Sequence, residues 1–376
     1  MNSSQVRSST LFSRIMWILN IMALLALILS YLAAFISPAK IWWLALFGLS
    51  YEIILCINLL FIVYWLIFNR KKALIPSVLV IIGIGKIFGI FQFGSNDKST
   101  EKKDGLKVMT FNVRLFDLYN WFHSTSTRSQ IFDFLNKEQP DIICFQEFFS
   151  NTRKRPEFSN ADTLHDILNA PYSHIVYTLT LRKTDHWGIA IYSKYPIINK
   201  VSHPFEERGG NIFIYADIKV NEDTFRVFNT HLESVHFGWS SYHFIENLNN
   251  DDVNQSEIAG CLTILRKLKK AFIKRANQVE VLHDSINASP YPVILCGDFN
   301  DTPSSYSYAI LADDLKDSFR ECGSGLGKTY AGPFPSFRID YIFHDKKFSA
   351  ESYYTHREKL SDHYAVSAIL NLRHKN

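Results

Sequence analysis

The chain is poor in cysteine and has no large excess of charge of either sign. Five cysteines among 376 residues, none in a CxxC pair, exclude a disulfide scaffold and do not suggest a zinc knuckle or a thiol redox site. Sixteen glycines and twelve prolines exclude a collagen-like or low-complexity chain. Because 47% of the residues are hydrophobic and 20% are charged, intrinsic disorder is excluded too. The length allows one large folded domain or two ordinary ones.

The positive charge is confined to the N-terminal quarter of the sequence. Residues 1–96 contain seven Lys or Arg and one acid, Glu52, which gives a net charge of +6. The total of +4 therefore leaves −2 for residues 97–376. This larger part has no overall electrostatic attraction for a polyanion such as a nucleic acid.

Three long apolar runs fill residues 1–94, and we interpret this region as a membrane segment. The first run, Ile15–Ala39, has 25 residues without a charge, and a bilayer core needs about 20 apolar residues in a helix. A cleaved signal peptide fits poorly, because the run is too long and a second follows at once. The runs predict a bundle of three transmembrane helices, at about residues 15–37, 41–68 and 73–93.

The basic residues predict how this bundle is oriented. Arg7 and Arg14 precede the first run, and Arg70, Lys71 and Lys72 separate the second from the third. Positive loops favour the cytoplasm, so three spans predict an integral membrane protein with residues 97–376 on the non-cytoplasmic side. If the third run does not span, the same rule leaves this domain in the cytoplasm.

After a polar linker at residues 95–106, the sequence pattern becomes that of a layered α/β domain covering 107–376. Short apolar runs of strand length alternate with longer helical stretches. Two pairs of runs echo each other, because each pair contains Phe-Asn and then ends in an acid. Helices are predicted at Ser129–Lys137 and Ile258–Ile286, and strands at Lys107–Val113, Asp141–Phe145, Gly188–Ser193, Ile212–Val220, Thr224–Thr230, Pro292–Cys296, Ile339–His344 and Ala365–Leu370.

Polar side chains follow the predicted strands, where active sites of layered α/β folds collect. Each residue alone is a weak signal, since an Asp at a strand end is usually a turn former. The set is stronger, and its oxygen donors favour Mg²⁺ or Mn²⁺ over zinc. Carboxylate, amide and imidazole groups also suit phosphoryl chemistry. The set comprises Asn112, Glu147, His231, Asp298, Asn300, Asp340, Asp362 and His363.

Four motifs in this order, FNVR at 111–114, QE at 146–147, GDFN at 297–300 and SDH at 361–363, carry a family resemblance. The region from Lys107 to Leu372 resembles the endonuclease/exonuclease/phosphatase superfamily, which includes deoxyribonuclease I-like nucleases, inositol polyphosphate 5-phosphatases and neutral sphingomyelinases. The resemblance implies a four-layer α/β/β/α sandwich of two mixed sheets. It also implies a divalent metal ion, Mg²⁺ or Mn²⁺, as cofactor.

For the metal and the attacking water, the resemblance implies roles for five residues. Glu147 would bind the metal, helped by Asn112 and Asp362. Asp298 would position and activate the water. Asn300 would hold Asp298 and the scissile phosphate.

For the substrate phosphate, the resemblance implies two histidines and their support. His363 would contact the phosphate and stabilise the transition state, and Asp340 would orient His363. His231 matches a second phosphate-contacting histidine. Arg114 and Arg182 are further candidates for phosphate contacts. The insert Val235–Glu257, which follows His231, is interpreted as a substrate-facing loop.

These observations predict a membrane-anchored, metal-dependent phosphoesterase that hydrolyses a phosphodiester by attack of water. Nuclease or general phosphodiesterase activity is ranked slightly above a lipid phosphoesterase, sphingomyelinase-like or phosphoinositide phosphatase-like, although the motifs are shared by all of them and do not choose between them. A catalytically silent membrane scaffold and a transporting bundle are the alternatives from other classes. The partners implied are a nucleic acid or phospholipid head group and the bilayer, with no obligate protein partner.

Overall fold

The computed structural model describes residues 3–94, 105–152, 158–206, 209–235, 255–332 and 337–373. The insert predicted to face the substrate lies outside these ranges except at its two ends. The N-terminal part comprises α1 (Ser3–Leu32), α2 (Leu44–Leu49), α3 (Tyr51–Phe68), α4 (Arg70–Ile82), α5 (Ile84–Ile87) and β1 (Phe91–Phe93).

Thirteen strands and five α-helices follow in the described part of the remaining chain. The helices are α6 (Thr127–Glu138), α7 (Asn160–Leu168), α8 (Gln255–Asn287), α9 (Tyr306–Asp314) and α10 (Ser318–Cys322). The strands are β2 (Leu106–Asn112), β3 (Ile142–Asn151), β4 (Tyr172–Leu181), β5 (Asp185–Ser193), β6 (Ile197–Pro204), β7 (Ile212–Val220), β8 (Asp223–His231), β9 (Val293–Asp298), β10 (Lys316–Asp317), β11 (Ser324–Leu326), β12 (Asp340–His344), β13 (Phe348–Thr355) and β14 (Val366–Leu372).

Two six-stranded mixed sheets form the centre of this domain. Their strand orders are β13-β14-β2-β3-β5-β4 and β10-β12-β9-β8-β7-β6. In each sheet one parallel pair, β2 with β3 or β8 with β9, lies in the middle, and every other pairing is antiparallel. The two halves that echo each other in the sequence therefore form equivalent strand pairs.

Strand alternation explains why the sheets stack and why helices cover them. On β3, Ile142 and Cys144 lie in the core between the two sheets, whereas Ile143 and Phe145 pack with α6 and α7 on the outside. In the second sheet, the outward face packs with α8 and α9. Successive strand residues point to opposite faces, so apolar runs without alternation indicate burial on both sides. The four-layer sandwich of two mixed sheets is confirmed.

The N-terminal helices differ from the prediction in the third run. Two helices in the described chain, Leu11–Leu32 of α1 and Tyr51–Phe68 of α3, are long and apolar enough to cross a membrane. The prediction of a third helix at 73–93 is wrong, because α4 ends at Ile82 and β1 begins at Phe91. Glycine favours the break, since it has low helix propensity and a side chain at Gly83 would collide with Tyr31. The second predicted helix, at 41–68, is likewise divided at Ser50.

The α4 helix nevertheless returns along the bundle toward the α/β domain. Near its start, Lys72 Nζ lies 3.5 Å from Ser13 Oγ and 4.5 Å from the Trp65 ring centroid. Near its end, the Leu79 carbonyl accepts a 3.0 Å hydrogen bond from the Tyr31 hydroxyl. Since Ser13 and Tyr31 lie toward opposite ends of α1, α4 runs in the same direction as α1.

The last residues of the N-terminal segment pair and form hydrogen bonds with the α/β domain. Strand β1 pairs antiparallel with β11, with Phe91 opposite Leu326. The Gly89 carbonyl accepts a 3.0 Å hydrogen bond from Nε of Arg338. Arg338 is buried and forms a two-pronged pair with Asp317, at 2.6 and 3.1 Å. This junction fixes the end of the bundle two residues from Asp340.

Candidate active site

Polar side chains from both sheets meet at one end of the sandwich. Asn112 ends β2, and His231 and Asp298 end the adjacent strands β8 and β9. Asp340 begins β12 and lies directly opposite Asp298 in the antiparallel pairing. Parallel strands end at the same edge of their sheet, and the two sheets face each other. The strand-end residues predicted from the sequence are therefore brought into one cleft.

Asn112 connects the two sheets at the floor of this cleft. Its Nδ2 donates to Asp298 Oδ2 at 3.0 Å and to Glu147 Oε1 at 3.3 Å. Its Oδ1 accepts from the backbone N–H of Arg114 at 3.1 Å, which fixes the amide orientation. One buried amide thus holds the two carboxylates close together.

A second amide pair joins the sheets below the cleft. Gln146 Nε2 donates to Asn229 Oδ1 at 2.6 Å, and both residues are completely buried. Asn229 Nδ2 donates in turn to the carbonyls of Phe145 and Ala190 at 2.9 Å. Because both amides are buried and hydrogen-bonded, the Gln146–Asn229 pair links the two sheets below the cleft. Asn229 belongs to the second Phe-Asn pair of the sequence, but no role was predicted for it. A lone amide within an apolar strand is the feature that could have identified it.

The backbone around Glu147 is shaped to present its carboxylate. Glu147 has a φ of 47° and lies where the pairing of β3 with β5 is irregular, between Phe145 and Phe148. Bulges of this kind redirect a side chain next to active sites. The Glu147 side chain is 35% exposed, whereas that of Asp298 is 1% exposed. Glu147 therefore offers a carboxylate that solvent can reach, whereas that of Asp298 is buried.

Asp298, His363 and Asp340 form a buried charged line. His363 Nδ1 lies 3.0 and 3.1 Å from the two carboxylate oxygens of Asp340, and His363 Nε2 lies 3.7 Å from Asp298 Oδ2. Burial alone would lower the pKa of His363, but the charges of Asp340 and Asp298 hold that pKa well above its usual value. Burial, together with the Asp340 charge, raises the pKa of Asp298 against the opposing effect of His363.

Two imidazoles flank the same oxygen of Asp298. Nε2 of His231 lies 3.6 Å and Nε2 of His363 3.7 Å from Asp298 Oδ2. Both distances exceed a direct hydrogen bond. Nε2 of His231 is buried and has no hydrogen-bond partner within the described part of the chain. A buried polar atom of this kind needs a partner, and an oxygen of a bound substrate would supply one.

Asn300 holds Asp298 through its backbone and not through its side chain. The Asn300 N–H donates to Asp298 Oδ1 at 2.8 Å, and the Asn300 side-chain amide donates to the Leu232 carbonyl at 3.0 Å. A φ of 53° turns the chain to make this possible, and Asn tolerates that conformation. The predicted support of Asp298 is present, whereas the contact of Asn300 with phosphate stays a prediction.

Arg114 and Asp362 pair with each other at the rim. Nε of Arg114 lies 3.3 Å from Asp362 Oδ2, and the guanidinium stacks 4.4 Å from the Trp121 ring centroid. The Ser361 hydroxyl donates to the other Asp362 oxygen at 3.2 Å. Asp362 is therefore engaged by Arg114 and Ser361, and its help to the metal and the contact of Arg114 with phosphate stay predictions.

Arg182 lies apart from this cluster. It is exposed in the turn between β4 and β5, with a φ of 53°. No ion pair or hydrogen bond connects it to the cleft residues in the described ranges. Its predicted contact with phosphate is not supported by a position in the cleft.

Two groups of side chains in the cleft could bind a hard divalent cation. Ligand atoms of Asp298, Asp340 and His363 lie within 4.8 Å of one another, which makes them a possible metal site. His363 Nδ1 is held by the Asp340 carboxylate, so a metal bound at this group would compete with that pair. Glu147 offers the carboxylate that solvent can reach, and its Oε1 lies within reach of Asn112. Carboxylate oxygens are ligands that Mg²⁺ accepts, whereas Asn112 turns its Nδ2 toward Glu147, so its help to the metal stays a prediction.

Thr329 and Tyr330 are site residues that the sequence analysis missed. The Thr329 hydroxyl is buried and accepts from the backbone N–H groups of Ile339 and Asp340 at 2.9 and 3.0 Å. Tyr330 forms an isolated bridge with His363, and their ring centroids are 5.4 Å apart. Both residues hold the Asp340–His363 pair, and no sequence motif marked them.

Comparison with known families agrees with this architecture. The model described as "Endonuclease/Exonuclease/phosphatase family" matches residues 109–261 and 270–363, which is about two thirds of the chain. The chain belongs to this family, whose members are hydrolases of phosphodiesters or phosphate esters and generally depend on a divalent metal. A second model, a domain of unknown function, matches residues 13–89.

Individual relatives are distant. A sphingomyelinase C from Bacillus cereus is 26% identical over 361 residues, covering 81% of this chain and 100% of that protein. A sphingomyelinase C from Leptospira interrogans is 23% identical, covering 54% of this chain and 36% of that protein. The crystal structure of an endonuclease/exonuclease/phosphatase from Beutenbergia cavernae has a TM-score of 0.51 at 18% identity, covering 72% of each chain. That structure supports the fold alone.

Proposed function

We propose that this protein is a membrane-anchored, Mg²⁺- or Mn²⁺-dependent phosphodiesterase that cleaves the head group of a phospholipid of the sphingomyelin class. The single observation that carries the chemistry is the buried Asp298–His363–Asp340 line beside Glu147 and Asn112. The substrate class is supported by the sphingomyelinase relatives. These relatives favour a lipid substrate over a nucleic acid, which was ranked slightly first from the sequence alone.

Asp298 acts as the base that orients and deprotonates the attacking water. Asn112 and the Asn300 N–H each hold one of its oxygens, so the carboxylate has a fixed direction. Its raised pKa makes it a stronger proton acceptor than an exposed Asp, because burial disfavours the charged form. General bases are most effective when their pKa lies near the working pH.

His363 and His231 bind the phosphate and stabilise the charge that develops on its oxygens. Because Asp340 holds Nδ1, Nε2 of protonated His363 is free to donate to a phosphate oxygen. Nε2 of His231 approaches the same region from the other sheet. Glu147 would hold the divalent metal, which supplies further charge stabilisation at the phosphate when bound, and Asn112, whose Nδ2 donates to Glu147 Oε1, would position that carboxylate.

The position of the bundle supports a lipid substrate. The loop that follows Asp298 leads in six residues to Ser304, whose carbonyl lies beside Gly48 of α2. Six residues span at most about 20 Å, so the cleft lies near the end of the helices. The net charge of −2 for residues 97–376 offers a nucleic acid no general attraction.

The same geometry supports the proposed orientation. In α1 and α3, only 22% and 17% of the apolar windows are buried, as suits helices surrounded by lipid and not a soluble core. Lys72 lies at the end of the bundle beside Ser13, whereas Gly48 and Gly89 touch the catalytic domain at the opposite end. By the positive-inside rule, the Arg70–Lys72 end is cytoplasmic and the catalytic domain is not. The return of α4 maintains this arrangement although the third helix is short.

The test uses the full-length protein in nanodiscs, with sphingomyelin, phosphatidylcholine, plasmid DNA and a chromogenic phosphodiester as separate substrates. Each is measured with Mg²⁺, with Mn²⁺ and after EDTA treatment. The variant is Asp298→Asn, and the matched control is Asp314→Asn, an exposed carboxylate at the end of α9 that pairs with His283.

We expect metal-dependent release of the head group from sphingomyelin, about 10²- to 10⁴-fold slower in Asp298→Asn and unchanged in Asp314→Asn. Preferential cleavage of DNA would replace the lipid by a nucleic acid. A protein that binds no metal and hydrolyses none of the four substrates would instead be the membrane scaffold.

A further inference from the structure

A cavity separates the membrane bundle from the catalytic domain, away from the active-site cleft. Its volume is about 440 Å³. One side is formed by the C-terminal part of α1 and by the segment around α5, and the other by α9 and α10. Pro303, in the loop that follows β9, also lines it. Neither the family match nor the proposed reaction uses this space.

The charged residues that line this cavity have a net positive charge. Lys86 comes from α5, Arg320 from α10 and Asp313 from the last turn of α9. Among the residues that the structure describes, Lys86 and Arg320 form no ion pair with a carboxylate. Two cations and one acid leave a charge of +1. A partly buried Lys without a counterion is unfavourable, so an anion bound here would stabilise both parts of the protein.

The mouth of the cavity is apolar on the side of the bundle. Phe35 and Ile82 line it and are 76% and 68% exposed, although both are large hydrophobic side chains. They lie at the ends of α1 and α4 that meet the catalytic domain. If α1 spans the bilayer, this is the level of the lipid head groups, and an acyl chain would cover these two side chains.

We propose that this cavity binds the head group of an anionic phospholipid, with the phosphate between Lys86 and Arg320 and an acyl chain along Phe35 and Ile82. The ammonium and guanidinium groups match the single negative charge of a phosphodiester, while Asp313 limits the preference to a monoanion. The inference rests on the membrane attachment in the proposed function, and it adds a structural lipid site distinct from the site of hydrolysis.

The test measures lipid binding and not turnover. Full-length protein in detergent is titrated with phosphatidylglycerol, with phosphatidylcholine or with inorganic phosphate, and bound species are counted by native mass spectrometry in the absence of divalent metal. The variants are Lys86→Gln and Arg320→Gln. The matched control is Lys71→Gln, an exposed lysine at the other end of the bundle. Lys86→Arg keeps the charge and tests whether charge suffices.

We expect phosphatidylglycerol to bind about tenfold more weakly to each Gln variant, with wild-type affinity for Lys71→Gln and Lys86→Arg. Equal binding by all variants would overturn the site. Binding of inorganic phosphate in place of the lipid, with the same dependence on Lys86 and Arg320, would assign it to a soluble anion. An unchanged melting temperature of Arg320→Gln, which replaces an exposed residue, shows that the fold is intact.

This design separates the two proposals. Failure of the lipid site leaves the cleavage of a water-soluble phosphodiester unchanged, because Lys86 and Arg320 lie outside the active-site cleft. Failure of the proposed reaction leaves the binding titration unchanged, because that titration is made without metal and can be repeated in Asp298→Asn.

Discussion

Replacing Asp340 by Asn tests whether its charge keeps His363 protonated. The two side chains have nearly the same shape, and the amide oxygen that Asp340→Asn introduces can still accept from His363 Nδ1, which lies 3.0 Å from the carboxylate in the native protein. The negative charge is lost. Burial, which lowers the pKa of a histidine, is then opposed only by Asp298 and more distant acids.

The magnitude follows from the distance. A carboxylate within about 4 Å raises the pKa of its partner by about one to three pH units, which corresponds to about 1.4 to 4 kcal/mol. The alkaline limb of the kcat/KM profile, which reports deprotonation of His363, should move down by that amount in Asp340→Asn. The acid limb, which reports protonation of Asp298, has a different origin and should move less.

The assay is kcat/KM on a water-soluble phosphodiester from pH 5 to 10, with the full-length protein and saturating Mg²⁺. Asp314→Asn is the control, because it neutralises the acid of an Asp–His pair at the surface, 2.8 Å from His283. An alkaline limb that stays in place in Asp340→Asn, with activity retained, would refute the assigned role of the pair.

Stability supplies an independent readout with a definite sign. Because the pKa of His363 is higher in the folded protein than its usual 6.5, the pair stabilises the fold fully below about pH 6.5. This contribution is lost as pH rises through the higher folded value. The melting temperature of the wild type should therefore fall at alkaline pH more steeply than that of Asp340→Asn.

Three further predictions concern stability at neutral pH, each measured by thermal or urea unfolding. Asp298→Asn should lower the melting temperature, because its amide must turn an NH2 group toward either Asn112 Nδ2 or the Asn300 N–H, both of which donate to the native carboxylate. Arg338→Met should destabilise the protein by about 3 to 5 kcal/mol, since it leaves Asp317 buried without its partner; a loss below about 1 kcal/mol would contradict this. Gly188→Ala should be destabilising by about 1 to 3 kcal/mol or more, because its Cβ would collide with the Val176 carbonyl oxygen; Ala190→Gly on the same strand is the comparison.

The sandwich could be predicted from the sequence because its central strands are buried on both faces. Runs such as Asp141–Phe145 have no polar interruption after the first residue, and the structure places their alternate residues in two different cores. Two outer strands were not predicted, because they are not buried on both faces. Most residues of Tyr172–Leu181 and Ile197–Pro204 are half-buried or exposed, so these strands lack a continuous apolar pattern.

The candidate site was predictable where residues lie at strand ends. Asn112, Asp298 and Asp340 end or begin apolar strands, and the parallel pairs bring these ends together. Side-chain partners could not be predicted in this way. Arg114 pairs with Asp362 across 248 positions of sequence, and only the fold brings them within 3.3 Å.

The third apolar run, at residues 73–93, shows where hydropathy alone gives a wrong prediction. Its composition resembles that of a membrane helix, but tertiary hydrogen bonds compete for its last residues. The Gly89 carbonyl bonds to Arg338, and the Ile90 carbonyl accepts from the Gly327 N–H at 3.1 Å. Hydropathy measures transfer of side chains into lipid and does not register a distant partner for the backbone.

The pairing of β1 with β11 constrains the order in which the protein can be assembled. Phe91 pairs with Leu326, 235 positions later in the chain, so the end of the N-terminal segment must wait for most of the α/β domain to be synthesised. Contacts of such long sequence separation close late in folding. The N-terminal helices can form first, and β1 at their end then offers a strand with which β11 pairs. Completion of the α/β domain would then depend on the N-terminal helices already being in place.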